Sequence, residues 1–344
     1  MNILQKFSLT ALLAFSISLF FAAPVVFAEW LVVSSQWTVS PDFHGKKARG
    51  SISGAVCVAK QNPHNWCLAI NDEKRYVQFF SLDGKTLSPK ERRLWLLPKR
   101  DENGEKFKEI DAEAVAYHNG FIYVTGSHGL SRHSNKKRSS QYFVFRFPVN
   151  KDTGEPAFNF EKKIVPAEVE RSNHLEKIIQ DHPVLGRYAS QPLGLNGANI
   201  EGLVVKNGKM HFGFRGPELD GDAMILSVNI SAIFGDRQPV TQLVKLSLGD
   251  NTGIRDLAIT AKGILVLSGP ARGGSDEGFA VYFWQPDTGQ LKKLATLPKV
   301  RGGKPEAILL ISETQNSSLR EFNIMILHDH LKNGAPHNYH LTMN

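Results

Sequence analysis

The chain has 344 residues, of which 42% are hydrophobic, with 29 Gly, 17 Pro and a formal net charge of +8. This composition excludes a disordered or fibrous protein and suffices for one closed β architecture or two smaller domains. The basic balance favours anionic partners, yet no stretch interleaves Lys and Arg with aromatic residues in the manner of a nucleic-acid surface, so nucleic acid is not an expected partner. The densest basic run, residues 131–141, reads as a solvated loop tip.

Residues 1–28 read as a signal peptide. Lys6 supplies a short basic region, an uncharged apolar stretch follows, and Ala28 precedes Glu29 at a site suited to cleavage. An uncleaved anchor is the alternative, since the run is long enough to span a bilayer. Cleavage leaves residues 29–344 as a single secreted or periplasmic domain without a transmembrane anchor, carrying 40 basic and 33 acidic residues, a net charge of +7.

Cys57 and Cys67 lie in "GAVCVAKQNPHNWCLAI", two apolar runs around a polar turn containing Pro63, the pattern of a β-hairpin. An oxidising compartment would join them as a disulfide if they face each other; two buried thiols are the alternative.

Internal repeats decide the fold class. "SISGAVCV", "DAEAVAYHNGFIYV", "NIEGLVVKNGKMHF", "GIRDLAITAKGILV" and "KPEAILLI" share one pattern, with Ser53, Glu113, Glu201, Arg255 and Glu306 in one aligned column. A tight turn and a second strand follow in the three middle copies. A further apolar run then comes in each copy, "YVQFFSL", "QYFVFRFPV", "DAMILSVNI", "GFAVYFWQP" and "EFNIMILHD", read as the third strand.

Such meandering sheets predict an all-β protein, a β-propeller of five to six four-stranded blades; a sandwich is the competing arrangement. The interval of 88 residues between Glu113 and Glu201 is too long for one blade. It contains a helical period over 171–190, expected as either a small helical insertion or part of a degenerate blade. Residues 29–40 and the C-terminal "HNYHLTMN" are expected to pair and close the ring, in part as a sixth blade.

In a propeller the first strand of each blade lines the central channel, so the column residues meet there. Glu113, Glu201 and Glu306, with Asp111 and Asn199, form an oxygen-rich ring; Arg255 and Asp256 break the pattern in the fourth copy. Crowded carboxylates need protons, cations or a metal. Loops after the second strands add Asp72, Glu73, His128, Arg132, Arg215, Glu218, Arg272 and Asp276, and guanidiniums such as Arg215 and Arg272 suit bidentate binding of phosphate or carboxylate.

Hard oxygen ligands beside arginines point to Ca2+ or Mg2+ helping to bind an anionic substrate. The expected metal ligands are Asp111, Glu113, Glu201, Glu306 and Asp256. The expected anion ligands are Arg132, Arg215, Arg255 and Arg272, and the catalytic candidates are Glu113, Glu201, Glu306 and His128. The structural alternative is that these side chains tie blades together. The histidine-rich stretch 327–340 reads as a solvated segment, and no serine-hydrolase elbow, zincin motif or phosphate loop is found.

The stretches "EIDAEAVAYHNGFIYVTGSHG", "GANIEGLVVKNGKMHFGFRGPELDGDAMILSVNI" and "GIRDLAITAKGILVLSGPARG" resemble the bacterial family of domain of unknown function 3616, over most of residues 50–315. The repeated D/N-x-E motif is more distantly similar to phytase-like and esterase-like propellers. The resemblance implies an exported propeller. For the phytase-like relatives it implies a Ca2+ shelf of carboxylates, matched here by Asp111, Glu113, Glu201 and Glu306 and interrupted by Arg255 and Ser53. Two functions follow as expectations: a metal-dependent hydrolase of phosphate or carboxylate esters, or a non-catalytic envelope protein binding an anionic small molecule or another envelope protein.

Overall fold

The computed structural model describes residues 35–58, 66–132, 134–273, 278–316 and 319–343. The expected signal peptide, the turn at Pro63 and Asp276 lie outside them. Among the described residues the strands form five sheets. The innermost strands are Ile52–Cys57, Ala112–His118, Asn199–Lys206, Thr252–Ile259 and Lys304–Gln315, and each touches the next, the fifth returning to the first. The chain is therefore a closed five-bladed propeller.

Each inner strand contains a buried run of mostly small and branched residues, the composition that packs on both faces of a sheet. The physical core is correspondingly divided into five hydrophobic clusters, one between each pair of adjacent blades. Between the first and second blades Leu68 and Phe79 meet Val124, Phe145 and Phe147; between the third and fourth, Val204 and Ile225 meet Ile254, Leu257 and Trp284. Between the fifth and first, Leu309 and Met325 pack on Ala55 and Phe80.

Closure of the ring is shared by both ends of the described chain. Ser35–Gln36 pairs antiparallel with Asn338 and His337 as the outermost strand of the fifth blade, while Thr38–Val39 adds to the outer edge of the first blade beside Thr86 and Leu87. The termini thus pair as expected, but they complete the fifth blade rather than build a sixth. The run "EFNIMILHD" is likewise the second strand of that blade, within Arg320–Asp329, and His337–Met343 is the third.

The long interval between Glu113 and Glu201 holds the outer strand Glu170–Ser172 of the second blade and an α-helix, His174–Asp181. The helix buries Leu175 and Ile179 among second-blade and third-blade residues such as Val144, Phe212 and Met224, and Pro183 follows its end. It is an insertion wedged between two blades, because its apolar stripe is satisfied there.

Cys57 and Cys67 are directly paired across the first hairpin of the first blade and form a disulfide. No helix among the described residues is long and apolar enough to cross a membrane.

Candidate functional site

All five column residues occupy the same structural position. Between the first and second strands of every blade the pairing register skips one residue: Ser53, Glu113, Glu201, Arg255 and Glu306. Each is the extra residue of a β-bulge, a device that bends a strand and re-aims a side chain. Arg215 is a sixth case, skipped on the second strand of the third blade between the pairs Asn199 with Gly216 and Ile200 with Phe214.

Bulging brings these groups into one buried network. Arg255 Nη1 lies 2.9 Å from Glu201 Oε2, and Arg255 Nη2 donates to Glu306 Oε1. Arg215 Nη1 donates to Glu201 Oε1 at 3.0 Å, while its Nε is shared between the carbonyls of Pro270 and Ala271. Arg132 enters from the second blade, half exposed, with Nη2 3.4 Å from Glu113 Oε1 and 4.0 Å from Glu201 Oε1. Ser53 carries no charge; its hydroxyl donates to the Ala112 carbonyl and ties the first blade to the second.

The charges are unevenly spread. Burial pushes the Glu201 carboxyl up, but Arg255, then Arg215 and Arg132, outweigh it and hold Glu201 below the usual carboxylate range. Glu113 is raised well above that range by burial and by the carboxylates of Asp111 and Glu201. Asp111, whose left-handed backbone (φ 55°) suits a short polar side chain, is raised by burial as well. Asp72 is pushed up to about 8 by burial and by Asp111.

Asp72, Asp111 and Glu113 each offer a carboxylate oxygen, and the three atoms lie within 4.8 Å of one another. Beside them the buried Gln141 donates Nε2 to Asp111 Oδ2 at 3.0 Å, and its Oε1 has no hydrogen-bond partner; nor does Asp72 Oδ1. Buried oxygens left without a donor are unusual in folded proteins, and their placement around three carboxylates is the arrangement a hard cation satisfies.

The expected metal ligands therefore divide. Asp111 and Glu113 stand together with Asp72, whereas Glu201 and Glu306 are engaged by arginines. Asp256 is buried, and both its oxygens accept backbone N–H groups, from Leu257 and from Ile308 of the fifth blade. His128 is buried with its ring edge against Tyr142, 5.6 Å between centroids, and burial lowers it to about 3, so it is neutral. No hydrogen bond joins its ring to the carboxylates among the described residues.

Of the anion candidates, Arg215, Arg255 and Arg272 line one cavity. Arg272 is held by Asn251 Oδ1 at 3.1 Å and Glu218 Oε2 at 3.2 Å. Arg132 stands apart on the carboxylate side. The other end of the channel is chemically different: a cavity of about 320 Å3 lined by residues such as Val56, Val205, Ile259 and Ile311 carries almost no charge. Of the C-terminal histidines, His328 is buried against the carbonyls of Gly334 and Ala335, and His330 lies 3.2 Å from Asp329.

Residues 55–333 match the family described as a protein of unknown function, DUF3616. The chain belongs to the DUF3616 family. No curated protein matches it. Among solved structures it is similar to a GH43 β-1,3-galactosidase, with 10% identity, a TM-score of 0.46 and coverage of 92% of this chain and 60% of that one. A Phanerochaete chrysosporium exo-β-1,3-galactanase gives 10% identity, a TM-score of 0.45 and coverage of 92% and 65%. A periplasmic gluconolactonase of Pseudomonas aeruginosa gives 12% identity, a TM-score of 0.39 and coverage of 84% and 85%. The chain thus spans less than two thirds of the length of the galactosidase and of the galactanase. At these identities the likeness concerns the fold alone.

Asp72 and Gln141 are the members of the carboxylate cluster that the column alignment leaves out. The available signal is positional: Asp72 comes one residue after the second strand, Trp66–Asn71, of the blade whose column residue is the uncharged Ser53. The acid missing from the first copy's column is supplied by the neighbouring strand.

Proposed function

We propose that this family member is an exported protein whose polar channel mouth binds a divalent cation, with Ca2+ the expected ion, and acts on a phosphate or carboxylate ester. The observation carrying this reading is the Asp72, Asp111 and Glu113 cluster, three carboxylate oxygens within 4.8 Å next to unpartnered Gln141 Oε1 and Asp72 Oδ1. Burial first, and the neighbouring carboxylates after it, raise their proton affinities, and a bound cation would offset both effects.

These residues fit Ca2+ by type: all offer oxygen, and the remaining coordination is left to water and substrate. A bound divalent ion would polarise the ester oxygen and acidify a water. Arg132, held by Glu113 and half exposed, orients the anion beside the cluster. Glu201 stays ionised and holds Arg132, Arg215 and Arg255 in their positions. The disulfide and the leader-like residues 1–28 support export to an oxidising compartment.

One observation favours a second reading, a non-catalytic binding propeller. Glu201 and Glu306 are both engaged by Arg255, and the His128 ring makes no hydrogen bond to a carboxylate among the described residues, so none of these three catalytic candidates is placed as a general base. Hydrolysis of p-nitrophenyl phosphate and p-nitrophenyl acetate, with Ca2+ and with excess chelator, separates the two. Turnover that requires Ca2+ and is lost in Asp72→Asn supports the hydrolase; Ca2+ binding without turnover of either ester supports the binding protein.

A further inference from the structure

The cavity shared by Arg215, Arg255 and Arg272 lies between the fourth and fifth blades and has a volume of about 290 Å3. This is at the lower end for small-molecule sites, about 300–1,000 Å3, a size that suits a small molecule. Lys299 and Lys304, both exposed, complete its lining, and no Asp or Glu lines it among the described residues.

Among the described residues each arginine keeps donors in reserve. A guanidinium has five N–H groups. Arg272 uses Nε on Asn251 and Nη2 on Glu218, Arg215 uses Nε and Nη1, and the buried Arg255 Nε has no partner. The glutamates contacting these arginines, Glu201, Glu218 and Glu306, number three against five cationic residues. Among the described residues a surplus of two positive charges faces the cavity.

The remaining wall is apolar. Phe279 packs against the second strand of the fourth blade, where a Cβ on Gly269 would come within 2.4 Å of its ring; Leu297, Pro298 and Pro305 continue the surface. A fully hydrated inorganic anion gains nothing from that wall, whereas a flat apolar body buries area against it.

We propose that this cavity is the substrate-recognition pocket of the channel-mouth site, taking a small organic dianion that carries a flat apolar body, such as an aryl phosphate monoester. The proposal rests on the reading of the mouth as an anion-binding site, and Glu201 is its physical link to the carboxylate cluster through Arg132.

The test is a calorimetric titration of the intact mature protein with phenyl phosphate and, separately, inorganic phosphate, both in excess chelator. Phenyl phosphate should bind at least tenfold more tightly than phosphate. Phe279→Ala should remove that preference with phosphate affinity unchanged, and Lys299→Glu with Lys304→Glu, both on the surface, should weaken both ligands tenfold or more. Equal affinities for the two anions, binding of neither, or a preference that survives Phe279→Ala would overturn it. Because chelator is present throughout, failure here leaves the cation site standing, and failure of the cation site leaves this pocket standing.

Discussion

Arg255 of the fourth blade binds Glu201 of the third and Glu306 of the fifth at once, through its two terminal nitrogens. All three side chains are buried, and all three are bulge residues. A sequence column that breaks its acidic pattern at the fourth copy is thereby explained as charge balance: the basic residue stands between two acidic neighbours, and Arg215 brings Glu201 a second positive charge.

Arg255→Met should therefore destabilise strongly. Removing one partner of a buried ion pair leaves uncompensated charge and costs about 3–5 kcal/mol. Chemical denaturation should show that loss, and Glu201→Gln added to Arg255→Met should cost less than the two single changes together, because the pair couples. Additive effects would mean that the bridge is not formed.

Asp72 predicts a pH dependence of stability. Its folded proton affinity lies at about 8, raised by burial and Asp111, against an ordinary value of 3.8. Between those values the folded state holds a proton that the unfolded state has released, so this group's contribution to stability falls as pH rises. In chelator, the melting temperature of Asp72→Asn relative to the native protein should rise from pH 5 to pH 8 and then level off. A difference that is flat with pH would contradict the burial of an ionisable Asp72 beside Asp111.

The Cys57–Cys67 disulfide closes a loop with a sequence separation of 10 residues. Chain-entropy arguments give about 3 kcal/mol for such a loop. Cys57→Ser with Cys67→Ser should lower denaturation stability by that order, and reductant should reproduce the loss in the native protein and leave the double variant unchanged.

Much of this was legible in the sequence, for definite reasons. The inner strands repeat because five blades face the same environment, and the column stands out because a bulge at the same position of every inner strand places a polar residue at the channel. Arg255 was readable as an anomaly, while its two partners were not, since bridging depends on which blades are neighbours. Asp72 escaped the alignment because it sits on the second strand's side of its blade. The last blade was misread by one strand because its inner strand runs on through Lys304–Gln315, so that "EFNIMILHD" takes the second position and the N-terminal pair Ser35–Gln36 the fourth.

The most direct test of the central claim is isothermal titration of Ca2+ into the chelator-stripped protein, with Asp72→Asn and Glu113→Gln alongside. The account predicts one equivalent bound with an affinity of roughly 10⁻⁷–10⁻⁵ M, as in Ca2+ sensor sites, weakened at least tenfold in both variants. Absence of binding to the native protein, or binding undiminished in both variants, would contradict it and make the carboxylate cluster a structural tie.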